Sequence, residues 1–214
     1  MTIFQSARHI ADYLNRNATQ KTIVLLSGGS SAKVGVKALE LLTPEALANI
    51  TVSQADERFV PLDSPDSNAN SLQSLGLGAI QAPFSPIISS GEHSRQEAAQ
   101  AFNATLQSWV DEGAQFVAIL GLGTDNHTAG ILPNTDAAHD NTLLALDYAT
   151  DAFERITIGP AFFSNITYTF LYAEGQEKAS AVSLLAGELD TRQYPAQLIK
   201  KTGGYEVLYN EEAK

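Results

Sequence analysis

The segment Gly121–Gly130 (GLGTDNHTAG) contains residue types that could move a proton. A carboxylate, Asp125, and an imidazole, His127, lie in this short glycine-containing loop, directly after an apolar run. Histidine titrates near neutral pH and is the commonest general base, and a carboxylate two residues away could orient its ring or raise its basicity. A lone histidine is more often an incidental surface or packing residue, and we interpret three others in that way: His9, His93 and His139. The glycine-and-carboxylate surroundings of His127 favour a catalytic role.

A second polar segment (SGGSS) could bind an anion. It follows an apolar run and precedes a helical pattern, and its candidate ligands are Ser27, Gly28, Gly29 and Ser30. Glycines let the backbone approach a ligand closely, and the unpaired N–H groups at the start of a helix attract negative charge. The loop could therefore hold a phosphate. A tight turn with a serine as helix N-cap is the alternative, and the sequence leaves both interpretations open.

Two cationic residues are further candidates for binding an anion. Arg58 ends the segment Asp56-Glu57-Arg58, which follows a predicted strand, and its guanidinium could recognise a phosphate or a carboxylate. The alternative for this segment is a salt-bridged strand end. Lys178 lies in the first turn of a predicted helix, where the helix dipole disfavours a cation, and this misfit favours an anion-binding role. We include Asp56, Arg58 and Lys178 among the candidate substrate-binding residues.

Alternating strand and helix patterns must position these segments. Short apolar or β-branched runs predict strands at 22–26, 50–52, 87–88, 116–120, 156–158, 168–172 and 205–209. Amphipathic spacing predicts helices at 4–14, 34–42, 72–77, 94–109 and 175–185. This order predicts an α/β fold, a three-layer α/β/α sandwich with a mostly parallel, Rossmann-like sheet, in a single domain over 1–214. Because ligands bind beyond the carboxyl ends of parallel strands, we expect the polar segments to converge there.

The composition limits the possible partners and compartments. The 214 residues include 13 Lys and Arg against 24 Asp and Glu, which gives a net charge of −11, and there is no Cys. An acidic surface repels phosphate backbones, so we expect no nucleic-acid partner. Without cysteine and without metal-ligand spacing of the histidines, we expect no metal site. No apolar run is long enough for a membrane span and no signal-peptide pattern is present, so we expect a cytoplasmic monomer or small homo-oligomer without membrane contact.

Taken together, these motifs resemble those of the 6-phosphogluconolactonase family, which shares its fold with glucosamine-6-phosphate deaminase. The matching segments are LSGGS at 26–30, DERFVP at 56–61 with DSN at 66–68, and GLGTDNHTA at 121–129 with a proline at 133. Later landmarks follow in the family's order: RIT at 155–157, GQEKA at 175–179 and YPA at 194–196. The resemblance covers nearly the whole chain.

This resemblance implies an enzyme that hydrolyses 6-phosphoglucono-1,5-lactone to 6-phosphogluconate, in the oxidative pentose phosphate pathway, with neither a metal nor an organic cofactor. His127 would be the general base that activates water, and Asp125 would orient His127 or contact the substrate. The loop at 28–30, Arg58 and Lys178 would share the 6-phosphate and the sugar hydroxyls. Asn68 would hold its own loop in place.

Two positions depart from the family pattern, and two other functions remain as alternatives. Asn126 stands where the family has Gly, and Thr167 or Asn165 stands where an Arg is expected before the strand at 168–172, which predicts a weaker phosphate site.

An amino-sugar-phosphate deaminase/isomerase would read Asp-Glu-Tyr at 56–58 and Asn-Glu-Pro at 131–133, and this chain does not. A non-catalytic sugar-phosphate-binding protein would have no need of Asp125 and His127.

Overall fold

The apolar run Thr22–Leu26 forms a central strand of a six-stranded parallel sheet. The computed structural model describes residues 1–89 and 94–212. In spatial order the strands are β4 (Phe84–Ser85), β2 (Ile50–Gln54), β1 (Thr22–Leu26), β5 (Gln115–Gly121), β8 (Tyr168–Glu174) and β9 (Tyr205–Asn210). All five neighbouring pairs are parallel. Every residue of β1 is buried, as expected for a strand covered on both faces.

Helices cover both faces of this sheet. They are α1 (Ile3–Asn17), α2 (Ser30–Leu39), α3 (Pro44–Leu47), α4 (Asn68–Ser74), α5 (Arg95–Asp111), α6 (Asp136–His139) and α7 (Ala179–Leu184). Because side chains alternate along a strand, β1 sends Val24 and Leu26 into the core shared with α1 and α2, and Ile23 and Leu25 into the core shared with α5. The predicted three-layer sandwich is confirmed. No helix in the described part of the chain is long and apolar enough to span a membrane.

A second, antiparallel sheet lies beside the first and was not predicted. Its strands are β3 (Asp56–Arg58), β7 (Glu154–Ile158) and β6 (Ala145–Ala149), with β7 in the middle. The chain changes sheets at Ala55, whose N–H donates to Leu26 O of β1 and whose carbonyl accepts from Ile158 N of β7. The segment predicted as the end of one strand is therefore a separate strand, and it carries Asp56 and Arg58 away from the parallel sheet.

Several predicted boundaries are wrong for local reasons. The edge strand is Phe84–Ser85 and not 87–88, because the Ile87 N–H is taken by the side-chain Oε1 of Gln54. The helix predicted at 72–77 begins at Asn68, because Ser67 caps its start by accepting from Asn70 N. The helix predicted at 34–42 ends at Leu39, and the one predicted at 175–185 is divided into a 3₁₀ turn (Gln176–Lys178) and α7.

Candidate active site

A cleft of about 260 Å³ lies at the carboxyl-terminal edge of the parallel sheet. Residues that follow β1, β5 and β8 line it, together with side chains from β3 and β7. All the candidate substrate-binding residues lie in its wall, together with His127: Ser27, Gly28, Gly29, Ser30, Asp56, Arg58 and Lys178. Asn68 and Arg155 also line the cleft. The expected convergence of the polar segments is therefore present in the structure.

Asp125 does not line the cleft itself, but it forms a hydrogen bond with His127, which does. Asp125 Oδ1 lies 2.6 Å from His127 Nδ1 and 3.1 Å from the backbone nitrogen of the same residue. The hydrogen bond from the His127 ring, more than any other interaction, lowers the pKa of Asp125 to about 2. The carboxylate is therefore ionised at neutral pH and accepts the proton on Nδ1, which leaves Nε2 as the basic nitrogen of the neutral ring.

The backbone of the His127 loop is held in an unusual conformation. Asn126 has a φ of 66°, in the left-handed region that asparagine tolerates. The asparagine that stands in place of the family's glycine therefore adopts a left-handed backbone. The turn is closed by Asn126 N donating to Gly123 O at 3.1 Å and by Gly123 N donating to His127 O at 2.8 Å. The Gly123 N–H is therefore occupied within the loop and is not a free donor for a ligand.

The antiparallel sheet holds the far end of the same loop. Ala129 and Gly130 have φ values of 49° and 68°, and their carbonyls accept hydrogen bonds from the hydroxyls of Thr157 on β7 and Tyr148 on β6. Burial is the main cause that raises the pKa of Tyr148 to about 12, so its phenol remains a donor at neutral pH. Gly130 also packs so closely on Asp56 that a Cβ there would lie 2.6 Å from Asp56 Cβ. Tyr148 and Thr157 therefore position this loop; the sequence analysis did not identify Tyr148 and included Thr157 only within the family landmark RIT.

Asp56 is a buried carboxyl group in the wall of the cleft. It is 6% exposed, and its Oδ2 accepts a hydrogen bond from Asn68 Nδ2 at 3.3 Å and lies 3.9 Å from Arg155 Nη1. Burial raises the pKa of Asp56, while the neighbouring Arg155 opposes that shift. In the sequence, Arg155 stands out only as part of the family landmark RIT. Its position opposite β3 depends on an antiparallel pairing that no local pattern predicts.

Glu57 supports the site without reaching into it. Its carboxylate is 1% exposed and accepts hydrogen bonds from five donors: Gln54 Nε2, Arg58 N, Ser67 Oγ, Asn68 N and Ala69 N. Two of these are backbone N–H groups at the start of α4, where a negative charge is favoured by the helix dipole. Glu57 thus anchors Asn68, which in turn donates to the backbone oxygen of Asp56 at 2.9 Å.

The loop after β1 presents the open start of α2 to the cleft. Gly29, with a φ of 70°, is the N-cap of α2, and no side chain caps the helix. The alternative of a serine N-cap is therefore wrong. Ser31 instead donates to Gly28 O at 2.9 Å, and the buried Ser27 hydroxyl has no hydrogen-bond partner in the described part of the chain. This arrangement suits an anion better than it suits a closed turn.

Lys178 reaches the cleft from the turn that follows β8. It ends the 3₁₀ turn after β8, is half-buried, and forms no ion pair with any residue of the described ranges. Thr167, by contrast, precedes β8 and donates its N–H to Phe116 O at the opposite edge of the sheet. A side chain at Thr167 therefore lies at the end of the sheet away from the cleft, and Asn165, the other position where the family's Arg was expected, ends the 3₁₀ turn Phe162–Asn165.

The other histidines do not join the site. His9 Nε2 lies 2.7 Å from Glu206 Oε2, which connects α1 to β9, and His139 ends α6. His93 lies outside the described residues. Within 1–89 and 94–212, no three His, Asp or Glu side chains are grouped so that they could hold a metal ion.

Comparison with known proteins places this site in a family. The family model of glucosamine-6-phosphate isomerases/6-phosphogluconolactonase matches residues 3–208. A 6-phosphogluconolactonase of Synechocystis sp. is 30% identical over 200 residues, which cover 89% of this chain and 82% of that protein. Another, from Mesorhizobium japonicum, is 30% identical over 188 residues, 82% of this chain and 76% of that one. The crystal structure of 6-phosphogluconolactonase from Thermotoga maritima has the same fold, with a TM-score of 0.79, 22% identity, and coverage of 98% of this chain and 94% of that chain. The chain belongs to the glucosamine-6-phosphate isomerase/6-phosphogluconolactonase family.

Proposed function

We propose that this protein is a lactone hydrolase that converts 6-phosphoglucono-1,5-lactone to 6-phosphogluconate, with His127 as the general base. The observation that supports this most directly is the Asp125–His127 pair at a cleft that also contains an uncapped helix start and three cationic side chains. The pair supplies a base, and the rest of the cleft suits an anionic substrate. The curated relatives named above carry the same activity in their names.

The reaction needs one proton to be taken and one to be returned. His127 Nε2 removes a proton from water as the water oxygen bonds to C1 of the lactone, and the carbonyl electron pair moves onto its oxygen. The carbonyl then re-forms, the bond between C1 and the ring oxygen breaks, and the His127 imidazolium gives its proton to that oxygen. The ionised Asp125 stabilises the imidazolium between these two steps, because it accepts the Nδ1 proton throughout.

The phosphate of the substrate fits the part of the cleft formed by the SGGSS loop and Lys178. The open start of α2 offers backbone N–H groups and the positive end of a ten-residue helix. Lys178, which lines the same cleft, adds a positive charge. In a chain with a net charge of −11, such a local site is needed to hold a dianion.

The chain lacks a feature expected of the deaminase/isomerase alternative. Leu132 stands where those enzymes carry a glutamate close to the catalytic histidine, and it is packed against the apolar core. Its neighbour Ile131 is fully buried. No carboxylate at this position can assist His127, so hydrolysis fits the site better than amino-sugar chemistry.

The test is the rate at which freshly prepared 6-phosphogluconolactone disappears above its spontaneous decay. We expect the wild-type protein to accelerate the decay and His127→Ala to reduce kcat by roughly 10²- to 10⁴-fold, the usual contribution of a general base. His139→Ala, an exposed histidine on α6, is the matched control and keeps full activity. A wild-type rate equal to that of buffer alone would overturn the proposed function.

A further inference from the structure

Two arginines face each other across the antiparallel sheet. Arg58 of β3 and Arg155 of β7 are register partners, so their side chains leave the same face of the sheet a few ångströms apart. Like charges in directly opposite positions destabilise a strand pair. The chain has only 13 Lys and Arg, yet it places two of them in this arrangement, and both line the cleft.

The existing contacts of these arginines leave donors unused. Arg58 Nη1 donates to Asp66 O at 3.1 Å and lies 3.7 Å from Asp66 Oδ1, and Arg155 Nη1 lies 3.9 Å from Asp56 Oδ2. In both residues the Nε–H is buried and has no acceptor among the residues that the structure describes. The Phe153 ring lies beneath both guanidinium groups, at 4.7 Å from Arg58 Cζ and 5.6 Å from Arg155 Cζ, which fixes them in place. Two pre-positioned guanidiniums with free donors suit an anion that arrives with the substrate.

The arginine pair lies on the His127 side of the cleft. Gly130, three residues after His127, packs on Asp56, and Asp56 lies beside Arg155. The Tyr148 hydroxyl, which donates to Gly130 O, also lies on this side, since β6 pairs with β7 and brings Tyr148 opposite Arg155. Lys178 instead follows β8, a strand of the parallel sheet. The cations of the cleft thus come from two different sheets, Arg58 and Arg155 from the antiparallel one and Lys178 from the end of a parallel strand.

We propose that Arg155, together with Arg58, is a catalytic residue that binds the negative charge formed at C1, whereas Lys178 and the start of α2 bind the phosphate. This inference rests on the proposed function. The charge first appears on the carbonyl oxygen when water adds to C1. It appears again on the C1 carboxylate, once the new acid has lost its proton. A guanidinium matches both forms, because its parallel N–H groups can bind the two oxygens of a carboxylate.

The experiment compares two ligands that differ only at C1. 6-Phosphogluconate has a carboxylate there, and glucitol 6-phosphate has a hydroxymethyl group with the same phosphate at the other end. For Arg155→Gln we expect calorimetry to show binding of 6-phosphogluconate weakened by roughly 10- to 100-fold, the value of a charged hydrogen bond, and binding of glucitol 6-phosphate unchanged. For Lys178→Gln we expect both ligands to be weakened alike, because both carry the phosphate.

Arg155→Lys separates charge from geometry. Lysine keeps a positive charge beside Asp56 but cannot bind a carboxylate through two parallel N–H groups. If Arg155 only neutralises Asp56, this variant binds 6-phosphogluconate as the wild type does, and the proposal is wrong. We expect instead an intermediate affinity, and in lactone hydrolysis a fall in kcat that exceeds the change in KM. Arg16→Gln, an exposed arginine on α1, is the control for loss of one cation from an acidic protein.

Each remaining outcome also decides the question. Equal weakening of both ligands by Arg155→Gln would make Arg155 part of the phosphate site and overturn the proposal, as would an unchanged affinity for 6-phosphogluconate. Thermal unfolding of each variant shows whether it is folded, and Arg155→Lys provides the folded comparison if Arg155→Gln is not. If the wild type fails to hydrolyse the lactone, the proposed function falls, while the two-ligand comparison still shows whether Arg155 recognises a carboxylate.

Discussion

Asp125 Oδ1 lies within hydrogen-bonding distance of two nitrogens of His127, the ring Nδ1 at 2.6 Å and the backbone nitrogen at 3.1 Å. One carboxylate oxygen therefore fixes both the orientation of the imidazole and the turn that carries it. The side chains of His127 and Asp125 are 43% and 49% exposed, so solvent weakens the interaction between them. The pair therefore matters more for the orientation of the imidazole than for the free energy of unfolding.

The Asp125 carboxyl group is expected to titrate at a pH of about 2 in the wild type, because its pKa is lowered mainly by the hydrogen bond from His127. In His127→Ala we expect that midpoint to return towards 3.8, the ordinary pKa value. Since the folded-state pKa is lowered, the pair's contribution to stability is complete above pH 3.8 and is lost as the pH falls towards 2. The measurement is the carboxyl ¹³C shift of Asp125 against pH. The same midpoint in both proteins would contradict the arrangement.

Asn126 offers a test of the backbone of the loop. Its φ of 66° costs an alanine about 1 kcal/mol or more, whereas glycine adopts it freely. Asn126 Oδ1 is buried without a donor in the described part of the chain, so its removal loses no hydrogen bond at that atom. We expect Asn126→Gly to stay within about 0.5 kcal/mol of the wild-type free energy of unfolding, and Asn126→Ala to lose about 1–2 kcal/mol in urea titrations. Equal stabilities of the two variants would show that the backbone is not what selects asparagine.

The sequence predicted the parallel sheet well because a strand buried on both faces has a local signature. The run Thr22–Leu26 matches β1 residue for residue, and the glycine loop after it lies where a parallel sheet should place it. The antiparallel sheet has no such signature. β3 is only three residues long, Asp56–Arg58, and is polar throughout. The pairing of Arg58 with Arg155 joins residues 97 positions apart and is set by tertiary contacts, so the position of Arg155 beside the candidate Arg58 could not be found from local patterns.

Replacement of Tyr148, which lies on β6, tests whether its hydrogen bond to Gly130 O positions the His127 loop. Its hydroxyl donates to Gly130 O, and it is 4% exposed. We expect Tyr148→Phe to lose about 1 kcal/mol of unfolding free energy and several-fold in kcat, since the buried Gly130 carbonyl loses its donor. Tyr205→Phe, an exposed tyrosine on β9, is the control.

Comparison of the wild type with Tyr148→Phe also tests the stability of the protein at alkaline pH. Burial raises the pKa of Tyr148 to about 12 from 10.0, so between these pH values the unfolded chain releases a proton that the folded protein retains. The wild type therefore loses stability from pH 10 to 12 that Tyr148→Phe does not lose through this residue. The measurement is the difference in urea midpoints of the two proteins against pH. A constant difference would mean that the Tyr148 phenol ionises freely in the folded state.

Glu57 does not line the cleft, yet we expect its replacement to lower the free energy of unfolding and to loosen the residues behind the cleft wall. Its carboxylate accepts five hydrogen bonds and offers no donor, so Glu57→Gln turns an NH₂ group towards N–H and O–H groups that need an acceptor. Each buried donor left without an acceptor costs about 1–3 kcal/mol, and at least one is left here, so we expect a loss of about 2–4 kcal/mol in the free energy of unfolding. Glu188→Gln, a 90% exposed glutamate that contacts Lys200, is the matched control and should change stability by less than about 0.5 kcal/mol. Because Glu57 also anchors the start of α4, we expect the amides of Asn68 and Ala69 to exchange hydrogen faster in Glu57→Gln than in the control. If those amides kept their protection, Glu57 would not be what holds Asn68 against Asp56.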